Sequence, residues 1–141
     1  MKPVIFFDTN IILDLLGERE HFYQSAAQIA TLADLGKIEI VASALSYATV
    51  SYFLTKYEGV GKTKEKLRKF KVISKICDLD DTVIEKGLNS KFTDIEDSFQ
   101  YFSALKSNCE IIITRNSKDF KFSDIPVMSP DEYLASRKNS D

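Results

Sequence analysis

The most constraining feature of this sequence is a series of short apolar runs that alternate with segments of helical periodicity. The first run, residues 4–7, reads Val-Ile-Phe-Phe and ends at Asp8. It is long enough for a buried strand and too short for a helix. From Thr9, apolar residues recur at helical spacing as far as Gly17. Alternating strands and helices with short connections predict an α/β fold around a mostly parallel, buried sheet.

The rest of the chain continues this alternation. Further strands are predicted at residues 38–42, 76–79, 111–113 and 126–128. Further helices are predicted at residues 21–35, 44–57, 80–88 and 94–107 and from Pro130 onward, with a basic helix over 62–75 after a loop marked by Gly59 and Gly61. In helix 94–107, the apolar residues Ile95, Phe99 and Phe102 are predicted to face the core. The 141 residues suit one domain, placed at residues 1–136, with residues 137–141 as a frayed tail.

Composition narrows the class of protein. Apolar residues make up 44% of the chain, and no apolar run approaches the roughly 18 residues of a membrane span, so no membrane association is predicted. Cys77 and Cys109 lie far apart and fit neither a zinc site nor a disulfide framework, which favours the reducing cytoplasm. The single histidine, His21, excludes multi-histidine zinc sites. Any metal must therefore be held mostly by carboxylates, which favours Mg²⁺ or Mn²⁺.

The net charge of −2 hides a local basic segment. Residues 62–75 hold seven basic side chains against one acid, Glu65, whereas residues 78–97 are strongly acidic. Two interpretations stay open at this point: the basic helix contacts RNA phosphates, or it is an ordinary solvated helix.

Several carboxylates are predicted at one edge of the sheet. Asp8 ends the first strand, Asp119 follows the fourth, and Asp94 and Asp97 share one face at the start of a helix. Converging carboxylates repel one another unless a cation lies between them. Hard divalent ions bind such oxygens and can activate water against a phosphodiester. The residues thus predict a Mg²⁺- or Mn²⁺-dependent phosphodiesterase.

An alternative interpretation gives each acid a structural role. Asp8 and Asp94 would cap helices, Asp97 would be a first-turn acid favoured by the helix dipole, and Asp119 would be a turn residue. For any one acid alone this is the commoner explanation, and it weakens when all four are predicted at one edge.

Four segments resemble the PIN-domain family, in particular the VapC-type toxin ribonucleases. They are VIFFDTNIILDLL at 4–16, VASALSYATVSYFL at 41–54, FTDIEDSFQYFSAL at 92–105 and IIITRNSKDF at 111–120. The resemblance implies a three-layer α/β/α sandwich with about five mostly parallel strands. It also implies metal-dependent cleavage of RNA, a homodimer, and inhibition by a small antitoxin protein.

The resemblance also implies a set of site residues. The catalytic acids carried over are Asp8, Asp97 and Asp119. The implied metal ligands are Asp8, Asp94, Asp97, Asn116 and Asp119. Supporting roles fall to Asn10, Asp14, Thr114 and Arg115, of which Arg115 either contacts a phosphate or neutralises Asp119.

One position departs from the family pattern. Relatives usually carry a glutamate early in the helix after the second strand, and the matching position here is Thr49. Losing a carboxylate weakens cation affinity. A second hypothesis is therefore a PIN-like module with attenuated or lost catalysis that binds RNA or a protein partner. A haloacid-dehalogenase-type phosphatase ranks lower, because Asn10 stands where its second aspartate belongs.

Overall fold

A computed structural model describes residues 2–140, and its centre is one sheet of five strands. The order is β3-β2-β1-β4-β5, and every neighbouring pair is parallel. The strands are β1 Val4–Phe7, β2 Glu39–Ser43, β3 Ser74–Cys77, β4 Ile111–Ile113 and β5 Val127–Met128. All of them end at the same edge, which is where an open parallel sheet places a site.

Helices cover both faces of the sheet. They are α1 Thr9–Leu16, α2 Tyr23–Asp34, α3 Ala44–Glu58, α4 Val60–Val72, α5 Asp81–Leu88, α6 Ile95–Lys106 and α7 Pro130–Ser140, with a 3₁₀ turn at Ser117–Phe120. One hydrophobic cluster joins β1 to α1, α2, α3, α4 and α7, and a second joins it to α6. The predicted three-layer α/β/α architecture with a five-stranded parallel sheet is confirmed.

The central strand β1 explains the two layers. Ile5 and Phe7 belong to one cluster and Phe6 to the other, because successive side chains of a strand point to opposite faces. All three are fully buried. Burying a side chain of this size stabilises the fold by roughly 1.5–3 kcal/mol. The Phe7 ring stacks on Phe70 of α4 at 6.4 Å between centroids, which ties the basic helix to the sheet.

The prediction for the core face of α6 is confirmed for Phe102, which packs against the cluster between α6 and the sheet, and is wrong for Ile95 and Phe99. Ile95 is 56% exposed, while the buried residues of this helix include Tyr101 and Ala104, which pack against the sheet. Phe99 lies instead against Gly87 of α5, where a β-carbon would come within 2.8 Å of its ring. The first turn of the helix therefore does not reach the sheet, and Phe99 packs against a neighbouring helix.

Several element boundaries differ from the sequence prediction, and β3 lies at Ser74–Cys77 rather than at residues 76–79. Gly59 has φ +87° and separates α3 from α4, but Gly61 lies inside α4, so one left-handed residue is enough for this turn. The last helix, predicted to begin at Pro130, extends to Ser140. Arg137 and Lys138 in its last turn complement the helix dipole, and Asp141 lies outside the described residues.

Some side chains of the basic segment, residues 62–75, make contacts within the fold. Lys66 donates to the carbonyl of Leu16 and pairs with Glu58 at 2.7 Å. Lys69 pairs with Glu65 on the same helix, and Lys75 lies on β3 rather than in the helix. Lys66 therefore joins α4 to the end of α1 and to α3.

No helix within residues 2–140 is long and apolar enough to cross a membrane.

Candidate active site

Asp8 lies at the carboxyl end of β1, where it both caps α1 and faces the candidate site. Its backbone is extended, and Oδ1 accepts a hydrogen bond from the Thr9 N–H at 2.9 Å. Oδ2 accepts from the Thr114 hydroxyl at 2.8 Å. The side chain is buried, and burial raises its pKa, although hydrogen bonds from Thr114, Gln100 and Thr9 act in the opposite direction. Asp8 is therefore the N-cap of α1, as the alternative interpretation predicts, and its carboxylate also faces the candidate site.

Asp97 lies in the first turn of α6 and is half-buried. Its backbone N–H donates to Asp94 Oδ1 at 3.0 Å, so Asp94 is the N-cap of this helix. Burial and, after it, the nearby carboxylates of Asp94, Asp8 and Asp119 together raise the pKa of Asp97 to about 7. The structure therefore brings Asp8, Asp94, Asp97 and Asp119 within electrostatic reach of one another.

The segment after β4 contributes the third side of the site. The Thr114 hydroxyl contacts three groups: it donates to Asp8, and it lies 3.3 Å from Asn10 Nδ2 and 3.1 Å from the Asn116 N–H. Asn116 and Asp119 are exposed, and the Asp119 N–H donates to the Asn116 carbonyl at 3.0 Å. Thr114 thus links the end of β4 to the end of β1.

Arg115 resolves one alternative left open by the sequence. Its Nε donates to Asp14 Oδ2 at 2.7 Å and its Nη2 to Asp14 Oδ1 at 3.2 Å. Asp14 is 1% exposed and also contacts Arg19 at 3.6 Å. The guanidinium carbon of Arg115 lies 4.0 Å from the centre of the Phe22 ring. The described partner of Arg115 is therefore Asp14 and not Asp119.

Sequence reasoning missed a buried polar cluster beneath Asp8. It is built from Thr9, Ser43, Ser46 and Gln100. Gln100 Nε2 lies 3.2 Å from Asp8 Oδ1 and 2.7 Å from Ser46 Oγ, while its Oε1 accepts from the Ser43 hydroxyl. Gln100 follows Asp97 by three residues and so lies one turn along the same helix face, which is the one signal that could have drawn attention to it.

Helix α3 approaches the site through hydroxyl groups. Ser46 Oγ lies 2.7 Å from Thr9 Oγ1, and Thr49 follows one turn later, half-buried on the same side of the helix. Thr49 therefore lies on the side of α3 that carries Ser46.

The oxygens of the site have the chemistry of a Mg²⁺ or Mn²⁺ ligand set, but the carboxylates do not form a complete cage. Within residues 2–140, no group of three or more His, Cys, Asp or Glu side chains could hold a metal ion. Mg²⁺ usually keeps several waters and is bound through one or two carboxylates, so it does not require such a cage. The mutual repulsion at Asp97 is the kind of excess negative charge that a divalent ion relieves.

Fold and site together define a three-layer α/β/α protein with an acidic centre at the carboxyl edge of its sheet. A model of the PIN domain matches residues 4–118, most of the chain. The chain therefore belongs to the PIN domain family, and the predicted membership is confirmed.

Known relatives agree with this assignment. Ribonuclease VapC1 of Aquifex aeolicus (strain VF5) is 28% identical over 134 residues, which cover 92% of each chain. A toxin–antitoxin complex from Klebsiella pneumoniae contains a chain with a TM-score of 0.66 and 25% identity, covering 89% of this chain and 97% of that one. VapBC2 from Rickettsia felis, bound to a DNA fragment from their promoter, gives a TM-score of 0.67 with the same coverage. At 18% identity, this last likeness bears on the fold alone.

Proposed function

We propose that this chain is a divalent-metal-dependent endoribonuclease and the toxin of a toxin–antitoxin pair. The observation that carries the proposal is the approach of Asp97 on α6 to Asp8 at the end of β1, close enough for the charge of Asp8 to raise the pKa of Asp97. Its relatives include a protein named as a ribonuclease and chains in toxin–antitoxin complexes. The arrangement suits hydrolysis of a phosphodiester, in which water adds to phosphorus and a ribose oxygen leaves.

Each side chain has a proposed part in this reaction. Asp8 and Asp97 would hold Mg²⁺ or Mn²⁺ directly, and Asn116, Asp119 and Asp94 would act on it through coordinated waters. The bound ion supplies acidity to a coordinated water. Thr114 and Asn10 fix the orientation of the Asp8 carboxylate. Asp14 holds Arg115, whose partly exposed guanidinium is placed to contact a phosphate of the RNA.

The toxin assignment includes two protein partners. A small antitoxin is proposed because structural relatives are found in such complexes. A homodimer is proposed because α3 exposes aromatic side chains, with Tyr52 66% and Tyr57 76% exposed. We also propose a cytoplasmic location, which suits the free thiols of Cys77 and Cys109.

The direct test is cleavage of a mixed RNA pool by the purified, partner-free protein. We expect fragments with Mg²⁺ or Mn²⁺ and none when EDTA replaces the metal, because the acids alone cannot generate a nucleophile from water at neutral pH. A well-folded protein that cleaves nothing with either metal would contradict the proposal.

The second candidate is a PIN-fold module with attenuated or lost catalysis, and Thr49 is the observation that favours it. Thr49→Glu adds a carboxylate on the side of α3 that faces the site. We expect Mn²⁺ to bind about tenfold more tightly, since ligand charge count tunes the affinity of oxygen sites. Isothermal titration calorimetry measures this, and RNA cleavage is measured in parallel.

Thr49→Gln is the matched control, because it has the size of glutamate without its charge. Wild-type protein that is inactive while Thr49→Glu cleaves RNA would establish the attenuated module. Equal Mn²⁺ affinity in Thr49→Glu and Thr49→Gln would show that this position does not reach the ion.

A further inference from the structure

Gln100 is a buried polar side chain at the junction of three elements. It lies on α6, is 1% exposed, and its amide nitrogen is close to oxygens from α1, α3 and the end of β1. The distances from Nε2 are 3.2 Å to Asp8 Oδ1, 3.1 Å to Thr9 Oγ1 and 2.7 Å to Ser46 Oγ. A buried amide in contact with so many partners is held in one place, because leaving its polar atoms unpaired would cost about 1–3 kcal/mol each.

The neighbours of Gln100 also fix which way its amide points. Its oxygen accepts a hydrogen bond from the Ser43 hydroxyl, the N-cap of α3. A half-turn of the amide would bring that oxygen against the Asp8 carboxylate, where two acceptors repel. The orientation with the nitrogen toward Asp8 is therefore the one that avoids this repulsion.

Gln100 connects the two acids at the centre of the site. It follows Asp97 by one helical turn, and its amide reaches Asp8 at the end of β1. Asp8 is then held from both sides, with Gln100 and the Thr9 N–H on Oδ1 and Thr114 on Oδ2. The position of Asp8 relative to α6 is thus set through this amide.

The neutrality of Gln100 matters for this role. A lysine or arginine in the same place would form an ion pair with Asp8 and lower the attraction of the site for a cation. An amide supplies a donor without adding positive charge. We propose that Gln100 is a positioning residue that holds the Asp8 carboxylate in place for metal binding and RNA hydrolysis. This inference rests on the proposed function.

The test replaces Gln100 with methionine, which has a similar length and no hydrogen-bonding amide. We expect kcat for RNA cleavage to fall about 10–100-fold and Mn²⁺ affinity to weaken by a similar factor, as when outer partners of metal ligands are removed. The KM for RNA should change less than about threefold, because no contact with substrate is removed. Initial-rate kinetics give kcat and KM for RNA, and isothermal titration calorimetry without RNA gives the Mn²⁺ affinity.

Ser103→Ala is the matched control on the same helix. Ser103 lies one turn after Gln100, is fully buried, and its hydroxyl has no hydrogen-bond partner within the described residues. It should keep wild-type kcat and Mn²⁺ affinity. A folded Gln100→Met protein with wild-type kcat and wild-type Mn²⁺ affinity would overturn the inference.

A double-mutant cycle separates this inference from the proposed function. Gln100→Met and Asp8→Asn are combined, and urea unfolding is followed for all four proteins. Non-additive effects are expected, because the two side chains are in contact. If the wild type neither cleaves RNA nor binds Mn²⁺, the proposed function fails, and the cycle still decides whether Gln100 holds Asp8: additive effects would show that it does not.

Discussion

Asp97→Asn should reduce metal-dependent RNA cleavage by about a thousandfold, because the ion that would activate the attacking water loses a carboxylate ligand. The amide that replaces the carboxylate is a neutral and weaker ligand, and it removes charge at the point where the carboxylates converge. The fold should not suffer, because burial and the neighbouring acids already raise the pKa of Asp97 to about 7. Initial rates on a defined RNA in Mn²⁺ measure the loss of cleavage, and circular dichroism of each protein measures whether the fold is kept.

Glu96→Gln is the control for this substitution. Glu96 is the next residue of α6, it is exposed, and it has the smallest of the charge effects on Asp97. It should cleave RNA at close to the wild-type rate. Substantial cleavage by Asp97→Asn would instead point to a contaminating nuclease or to a site elsewhere in the chain.

The sheet was predictable because its signals are local. The runs at β1 and β4 consist of large apolar residues, which a buried parallel strand requires on both faces. Helix α1 was equally clear, since Asp8 begins it with a side-chain cap and Gly17 ends it. The placement of Asp8 and Asp119 at one edge then followed from the parallel order of strands.

The contacts of the site were not predictable in the same way. Gln100 is a polar residue in an amphipathic helix, and periodicity alone assigns such residues to solvent. Its burial depends on the hydroxyls of Ser43 and Ser46, which come from another strand–helix junction. The pairing of Arg115 with Asp14 depends likewise on how the exit of β4 lies against α1, which no local pattern encodes.

Asp14→Ala should destabilise the protein by about 3 kcal/mol, at the lower end of the cost of removing one partner from a buried ion pair. Asp14 is 1% exposed and receives two hydrogen bonds from the Arg115 fork. Without Asp14, the partly buried guanidinium of Arg115 loses its counter-charge. Water replaces only part of the lost stabilisation, because the Arg115 side chain is 28% exposed. The midpoint of urea unfolding should fall without a change in slope.

The size of this effect depends on burial, and an exposed pair shows the contrast. Lys69 and Glu65 are 77% and 65% exposed, so Lys69→Ala should cost only about 0.3–0.5 kcal/mol. Arg115→Ala combined with Asp14→Ala should cost less than the two separate changes together, because the double variant removes both charges of the Asp14–Arg115 pair. Additive losses would mean that Asp14 and Arg115 do not stabilise each other. Since Arg115 directly precedes Asn116 and its N–H faces Asn10 Oδ1 at 3.4 Å, the loss of this anchor should also loosen the segment that carries Asp119.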